Sequence, residues 1–449
     1  MRPTCAARVK AARTLAWTSP LAVASALAHR DGALCLLSDP ALPGSRSFVA
    51  TDPDRIQVQD RIHADADLFD ALAQAGFEAG IVGLAAYDAG ARPATGQRGA
   101  VWPDLILARY PALLVFDHDT ESLQAIGWGE DEAAAQAACD RAETWLDKAA
   151  VPPPPAAPPA LDLIPDAPDA AYVGAVADVV ARIRAGDLFQ ANIARAWSAT
   201  LNPDADPFDV FTRLTMGGGA PFGAFWRIGE RALVSNSPEL FLTLEAATGQ
   251  VETRPIKGTR ARDTDPARDA ANAADLIASD KDRAENLMIV DLMRNDLARV
   301  CAPGSVRVER LFELESHPTV HHLVSTVTGV LETGRDVADL MGACFPPGSI
   351  TGAPKHQAMK VIAAHEAPRG AWCGSLFVLD EAANLSASVL IRTAAFERIE
   401  GRWQVRTQAG AGIVADSDPV SELHETEVKI SALRQALTDR SLSPQAAVR

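Results

Sequence analysis

The chain has 449 residues, with 42 Lys+Arg against 58 Asp+Glu and a formal net charge of −16. That balance argues against a nucleic-acid binder, whose affinity comes mostly from cationic neutralisation of phosphates, and against docking on an anionic membrane surface. With 48% hydrophobic and 22% charged residues the composition is ordinary globular, and the length suits about three units of ~150 residues or one large architecture.

Arg2, Arg8, Lys10 and Arg13 precede an apolar stretch at 15–28 that superficially resembles a signal peptide. That stretch contains Ser19 and Pro20, which are N-cap and N1 signals for a helix running to about His29, followed by a strand at 33–37. Further apolar segments at 79–86 and 105–116 alternate with turn residues, and an Ala/Glu-rich helix occupies 131–149. The run VPPPPAAPP at 151–159 cannot be a helix interior or central strand, so it reads as an extended linker. It separates an N-terminal part (1–150) from the remainder (161–449), with 151–160 between them.

Beyond the linker, periodicity predicts a helix at 169–184 and strands at 188–199, 232–244 and 250–260. One or two long helices follow at 265–300, a strand-rich segment at 306–331, and helices at 337–344 and 353–366. Strands at 374–379, 386–396 and 402–413 precede a final helix at 419–438. Without strict βαβ alternation or an internal repeat, an α+β fold with antiparallel sheets fits best. No Gly-x-Gly-x-x-Gly after a strand and no Walker loop occurs, so nucleotide cofactors are unsupported. The six cysteines (Cys5, Cys35, Cys139, Cys301, Cys344, Cys373) are scattered without metal spacing, which suits reduced thiols in the cytoplasm. No run of about 20 apolar residues exists to span a membrane.

Two acidic pairs stand out: Asp282 and Glu285 in DKDRAENLMIVDLMRND (280–296), and Glu422 and Glu425 in SELHETEVK (421–429). Residues at i and i+3 share a helix face, so two such helices meeting would bring four carboxylates together around a hard cation such as Mg²⁺. Acidic pairs are also common on solvated surfaces. The small-residue stretches SITGAPK (349–355) and AGAGI (409–413) read as loops at a helix start and a strand end, able to take a carboxylate on backbone N–H groups or to serve only as turns. Arg392, inside the apolar run VLIRT (389–393), needs an acid partner, either a substrate carboxylate or a structural one. Lys257, in RPIKGTR (254–260), sits on the strand face opposite Ile256, where a desolvated lysine near other cations becomes a neutral nucleophile. Glu239 and His322 are weak signals alone.

Together the segments are specific. AGDLFQANIAR (185–195), SNSPE (235–239), PIKGTR (255–260), AENLMIVDLMRNDLARV (284–300), HHLVSTVTG (321–329), PPGSITGAPKHQAM (346–359), RGAWCGS (369–375), IRT (391–393) and AGAGIVADSDP (409–419) occur in one order. The series resembles the chorismate-utilising enzymes, and within them the branch that forms aminodeoxychorismate. The likeness is dense after the linker and loose before it, chiefly through GIVGLAAYD (80–88).

The resemblance implies two interlocked parts, with antiparallel sheets packed as a sandwich and helices outside, and a chorismate-binding catalytic domain over 161–449. It implies Mg²⁺ held by Glu285 and Glu425, with Asp282, where the family usually has Glu, and Glu422 beside them. Arg392, the backbone at Gly410 and Gly412, and Lys429 would meet the substrate's carboxylates, with Thr351 and His322 lining the pocket. Lys257 would attack C2 with Glu239 as general acid, and ammonia would then enter at C4. Gln190 stands where isochorismate- and salicylate-forming relatives carry a lysine base, so hydration at C2 is disfavoured. An anthranilate synthase component usually has Ala in place of Lys257; it and a non-catalytic chorismate-binding regulatory subunit are the alternatives. No nucleophile-elbow cysteine with a downstream His-x-Glu is present, so ammonia would come from a separate glutamine amidotransferase, and release of 4-aminobenzoate would need another enzyme. LLSD (36–39) falls where a relative's regulatory tryptophan pocket would be lined.

Overall fold

The structure, a computed structural model, describes residues 8–62, 68–70, 72, 80–99, 102–150, 157–216 and 219–439. Arg2, Cys5, Ala79 and most of the proline run at 151–159 lie outside the described residues.

Two antiparallel sheets organise the chain. Among the described residues the larger has 12 strands, and its order runs from Val9–Leu15 through Ser122–Gly129, Ala112–Asp117, Arg46–Ala50, Leu34–Leu37, Phe222–Ile228, Arg231–Ser237, Thr393–Ile399 and Arg402–Ile413 to Gln190–Thr200. The smaller, of 10 strands, includes Ile256–Ala261, Val320–Val330, Gln250–Thr253, Leu240–Glu245, Leu385–Val389, Ser375–Leu379, Ile81–Ala85 and Leu105–Arg109. Strands from before and after the proline run therefore share both sheets.

The sheets face each other: Val82, Leu84, Ile106 and Ala108 of the smaller pack in one buried cluster with Leu34, Val49, Leu114 and Phe116 of the larger. The opposite face of the smaller sheet, with Ile81, Leu105, Phe241 and Phe377, is covered by Ile289, Val290, Met293 and Leu297 of the helix Asp280–Ala298 and by Leu340 and Met341 of Val337–Cys344. Burial of both faces explains why Ile81–Ala85 is a continuous apolar run rather than an alternating one.

Three apolar runs that read as single strands divide, each giving one strand to each sheet. Leu105–Arg109 and Ala112–Asp117 separate at Pro111, Arg231–Ser237 and Leu240–Glu245 at Pro238, and Leu385–Val389 and Thr393–Ile399 at Arg392. Proline cannot donate to a ladder, and Arg392 has φ +53°, outside any strand conformation. The run 250–260 also divides, at Arg254-Pro255, with both halves pairing to Val320–Val330. Two of these breaks place Glu239 and Arg392 where the chain passes between sheets.

The candidate active site

Glu239 follows Pro238 at one crossing. Its backbone is fixed by Glu239 N–H donating to Ser237 Oγ (3.3 Å) and by Val389 N–H donating to its carbonyl (3.1 Å). The carboxyl is buried, accepts from Ser349 and the Ile256 backbone, and lies in the field of Lys257 and Lys429. Burial dominates these contacts and pushes its pKa up to about 7. Lys257 Nζ donates to the Ser349 carbonyl at 3.1 Å, so one residue, Ser349, touches both the acid and the amine.

Asp282 and Glu285 lie in the first turns of Asp280–Ala298, whose N-cap Ser279 accepts from Asp282 N–H. Glu422, Glu425 and Lys429 lie on Pro419–Thr438, capped by Asp418. Burial raises the pKa of Glu285, and the like charges of Asp282 and Glu425 push it the same way, while Lys257 and Lys281 oppose. Glu425 is held below the usual range by its cationic neighbours Lys429, Lys281 and Lys257, which outweigh burial; Lys429 is 2.6 Å away. Asp282 instead pairs with Arg260 (3.1 Å), and Glu422 accepts from Ser417 Oγ (2.7 Å) with Lys281 at 3.7 Å. Among the described residues no three Asp, Glu, His or Cys side chains form a ready metal cage. The donor chemistry nonetheless suits Mg²⁺: Glu285 and Glu425 are hard oxygen donors lying in each other's repulsive field, and such an ion takes one or two carboxylates together with substrate and water.

Arg392 is half-buried, and its side chain has no carboxylate partner within 4 Å among the described residues. Burial pushes its pKa down, and its charge in turn depresses that of His322. Burial chiefly, with His317 and Arg392, brings His322 down to about 3; its Nδ1 lies 2.9 Å from Thr259 Oγ1. His322 is thus a neutral imidazole at working pH.

AGAGI at 409–413 is not a loop but the end of the strand Arg402–Ile413, paired with Gln190–Thr200. A Cβ at Gly410 would stand 2.6 Å from Asn192 Oδ1, and one at Gly412 2.5 Å from Gln190 Nε2 and 3.5 Å from Lys257 Nζ. The glycines clear room for two carboxamides whose buried Gln190 Oε1, Gln190 Nε2 and Asn192 Oδ1 have no hydrogen-bond partner among the described residues. The Gly410 carbonyl accepts from Lys429 Nζ (2.8 Å). Thr351 is buried, its hydroxyl turned back to the Pro347 carbonyl (3.0 Å) and its own carbonyl taking Asn192 N–H.

Several supporting residues escaped the sequence reading. Arg369, wholly buried, forks onto Glu366 and donates to the carbonyls of Ile350 (2.9 Å) and Asn192 (2.7 Å), with the Tyr87 ring 4.5 Å away. Asp88 accepts from Gly370 N–H at 2.7 Å, so the YD of GIVGLAAYD underpins the RG of RGAWCGS. RGAWCGS was legible as a motif, but nothing in it announced this role. Leu36, Leu37 and Ser38 line a cavity of about 740 Å³ between the sheets, apart from these groups.

Residues 40–435 match the family described as chorismate binding enzyme. The chain belongs to that family. It is 39% identical over 368 residues to aminodeoxychorismate synthase component 1 of Klebsiella aerogenes, covering 80% of this chain and 78% of the relative. In structure it is similar to anthranilate synthase component I from Streptococcus pneumoniae TIGR4, with TM-score 0.75, 27% identity, and 88% and 93% of the two chains covered. The menaquinone-specific isochorismate synthase of Escherichia coli shares the fold alone, with TM-score 0.72 and 19% identity over 96% of each chain.

Proposed function

We propose that the protein aminates chorismate at C4 with ammonia to give 4-amino-4-deoxychorismate, the precursor of 4-aminobenzoate in folate synthesis. The observation that carries this reading is the Lys257–Ser349–Glu239 unit, an amine and a buried acid whose pKa burial raises to about 7, joined through one residue. Lys257 Nζ attacks C2 while the C4 hydroxyl leaves, taking the Glu239 proton to depart as water. Ammonia then adds at C4, the Lys257–C2 bond breaks, and a proton is lost from the new amine; the enolpyruvyl group is retained. Arg392 and Lys429 hold the substrate's carboxylates, Thr351 and neutral His322 line the pocket, and Gln190, uncharged, cannot activate water as a base.

Glu285 and Glu425 would hold Mg²⁺, with Asp282 and Glu422 nearby. The ion, when bound, supplies positive charge that offsets a dianionic substrate. Ammonia comes from a separate glutamine amidotransferase. The working location is the cytoplasm: the five described cysteines are free and buried, and among the described residues no helix is long and apolar enough to cross a membrane.

The test is Lys257→Met, which keeps the apolar stem and removes the amine. Folding should survive and C4 amination collapse, and intact-mass analysis of the wild type during turnover should show a substrate adduct mapping to residues 255–260. Wild-type amination by Lys257→Met would overturn the covalent route.

A further inference from the structure

The strand Ile256–Ala261 pairs with Val320–Val330 at Ile256↔Val324 and again at Thr259↔His322, with a register shift between. Lys257 and Gly258 are the bulged residues, so the ladder does not itself fix the backbone that carries the amine. Other contacts do. Gly258 has φ +88°, and a Cβ there would lie 2.9 Å from both Cβ and Cγ of Asp282 and 2.8 Å from Leu276 Cδ1. The bulge thus rests directly on the Asp282 side chain. Two residues on, Arg260 Nη2 donates to Asp282 Oδ2 (3.1 Å) and its Nε to Asp275 Oδ2 (2.7 Å). On the other side the His322 ring hydrogen-bonds the Gly258 backbone.

We propose that Asp282 is a positioning residue for Lys257 and not part of the cation site: its methylene seats the Gly258 bulge, and its carboxylate, bound to Arg260, holds the strand against the helix Asp280–Ala298. A carboxylate one methylene longer would collide with the bulge or swing away from Arg260. The shorter side chain, where the family usually has Glu, is the one that fits this seat.

The proposal rests on the reading of Lys257 as the reacting amine, and its test stays readable if that reading fails. Competitive acetylation of the metal-free full chain, read by peptide mass, reports Lys257 accessibility without turnover, with exposed Lys360 as internal standard. Asp282→Asn, isosteric and uncharged, should raise Lys257 labelling about threefold or more as the bulge loosens. Arg260→Gln should do the same, and the double variant should add little, because both act through one contact. A water-bridging metal neighbour would lose about 10- to 100-fold in Mg²⁺ affinity on this change. Here the Mg²⁺ half-saturation for chorismate consumption, whichever product forms, should move by less than about twofold in Asp282→Asn while rising about tenfold or more in Glu285→Gln. Unchanged Lys257 labelling in Asp282→Asn, or a Mg²⁺ requirement rising as in Glu285→Gln, would overturn the proposal.

Discussion

Glu239 and Arg392 occupy opposite positions in the electrostatics of the site. Glu239 is a carboxyl raised to about 7 by burial, so its proton is present below that pH and lost above it. In the proposed mechanism it acts only when protonated, so with Lys257 already neutral, turnover expressed per free ammonia should fall about tenfold per unit above pH ~7. A pH–rate profile checks this: Glu239→Gln should lose the limb and about 10²- to 10⁴-fold of rate. Arg392 is a cation without an acid partner among the described residues. Removing it should therefore do two things in opposite directions. Arg392→Met should weaken chorismate binding by about 2–3 kcal/mol, roughly 30- to 150-fold, read by calorimetry. The same variant should unfold at equal or higher urea, because an unpaired half-buried charge is gone. A structural ion pair would show the reverse, with stability lost and affinity kept.

The same residues show what the sequence made legible at the level of elements. Several helices were readable because their start signals are local, as at Ser19-Pro20, Asp265-Pro266, Ser279 and Asp418-Pro419, whereas the helices Tyr87–Thr95 and Pro207–Met216 were not read. Strand number was not, because apolar patterning continues on both sides of a change of sheet. Pro111 and Pro238 were the available signals, while nothing local marks Arg392 as the break at 390–392. AGAGI lies at the end of a strand predicted over 402–413, but the role of its glycines was not legible, because they answer to Asn192 and Gln190 across the ladder, a long-range fact. The acidic pairs on two helices were legible as i,i+3 spacing, but their separate partners, Arg260 and Ser417, were not. Gly83 tests the element that ties the N-terminal part to the smaller sheet. It pairs with Phe377, and a Cβ there would stand 2.1 Å from the Phe377 ring, which is wholly buried and cannot withdraw. Gly83→Ala should cost about 1–3 kcal/mol in a urea titration.

Across the whole molecule, the N-terminal residues act as support. Tyr87 stacks on Arg369 and Asp88 binds the Gly370 backbone, so the strands carrying Asn192 and the segment carrying Ile350 are braced from the far side of the proline run. The interleaved sheets explain why a chain whose sequence reads as two parts folds around one site. They also bring Glu239, Glu285 and Glu425, from three separate elements or crossings, into the field of Lys257, with Arg392 acting on His322. In the proposed function this constellation would bind a small dianion and deliver both a proton and an amine.

The central claim is amination with retention of the side chain, and product analysis tests it most directly. The purified chain, incubated with chorismate, Mg²⁺ and ammonium salt at alkaline pH, should give 4-amino-4-deoxychorismate by mass without pyruvate. Glutamine in place of ammonium should give no product until an amidotransferase is added. Anthranilate with stoichiometric pyruvate, or chorismate left unchanged, would contradict the account.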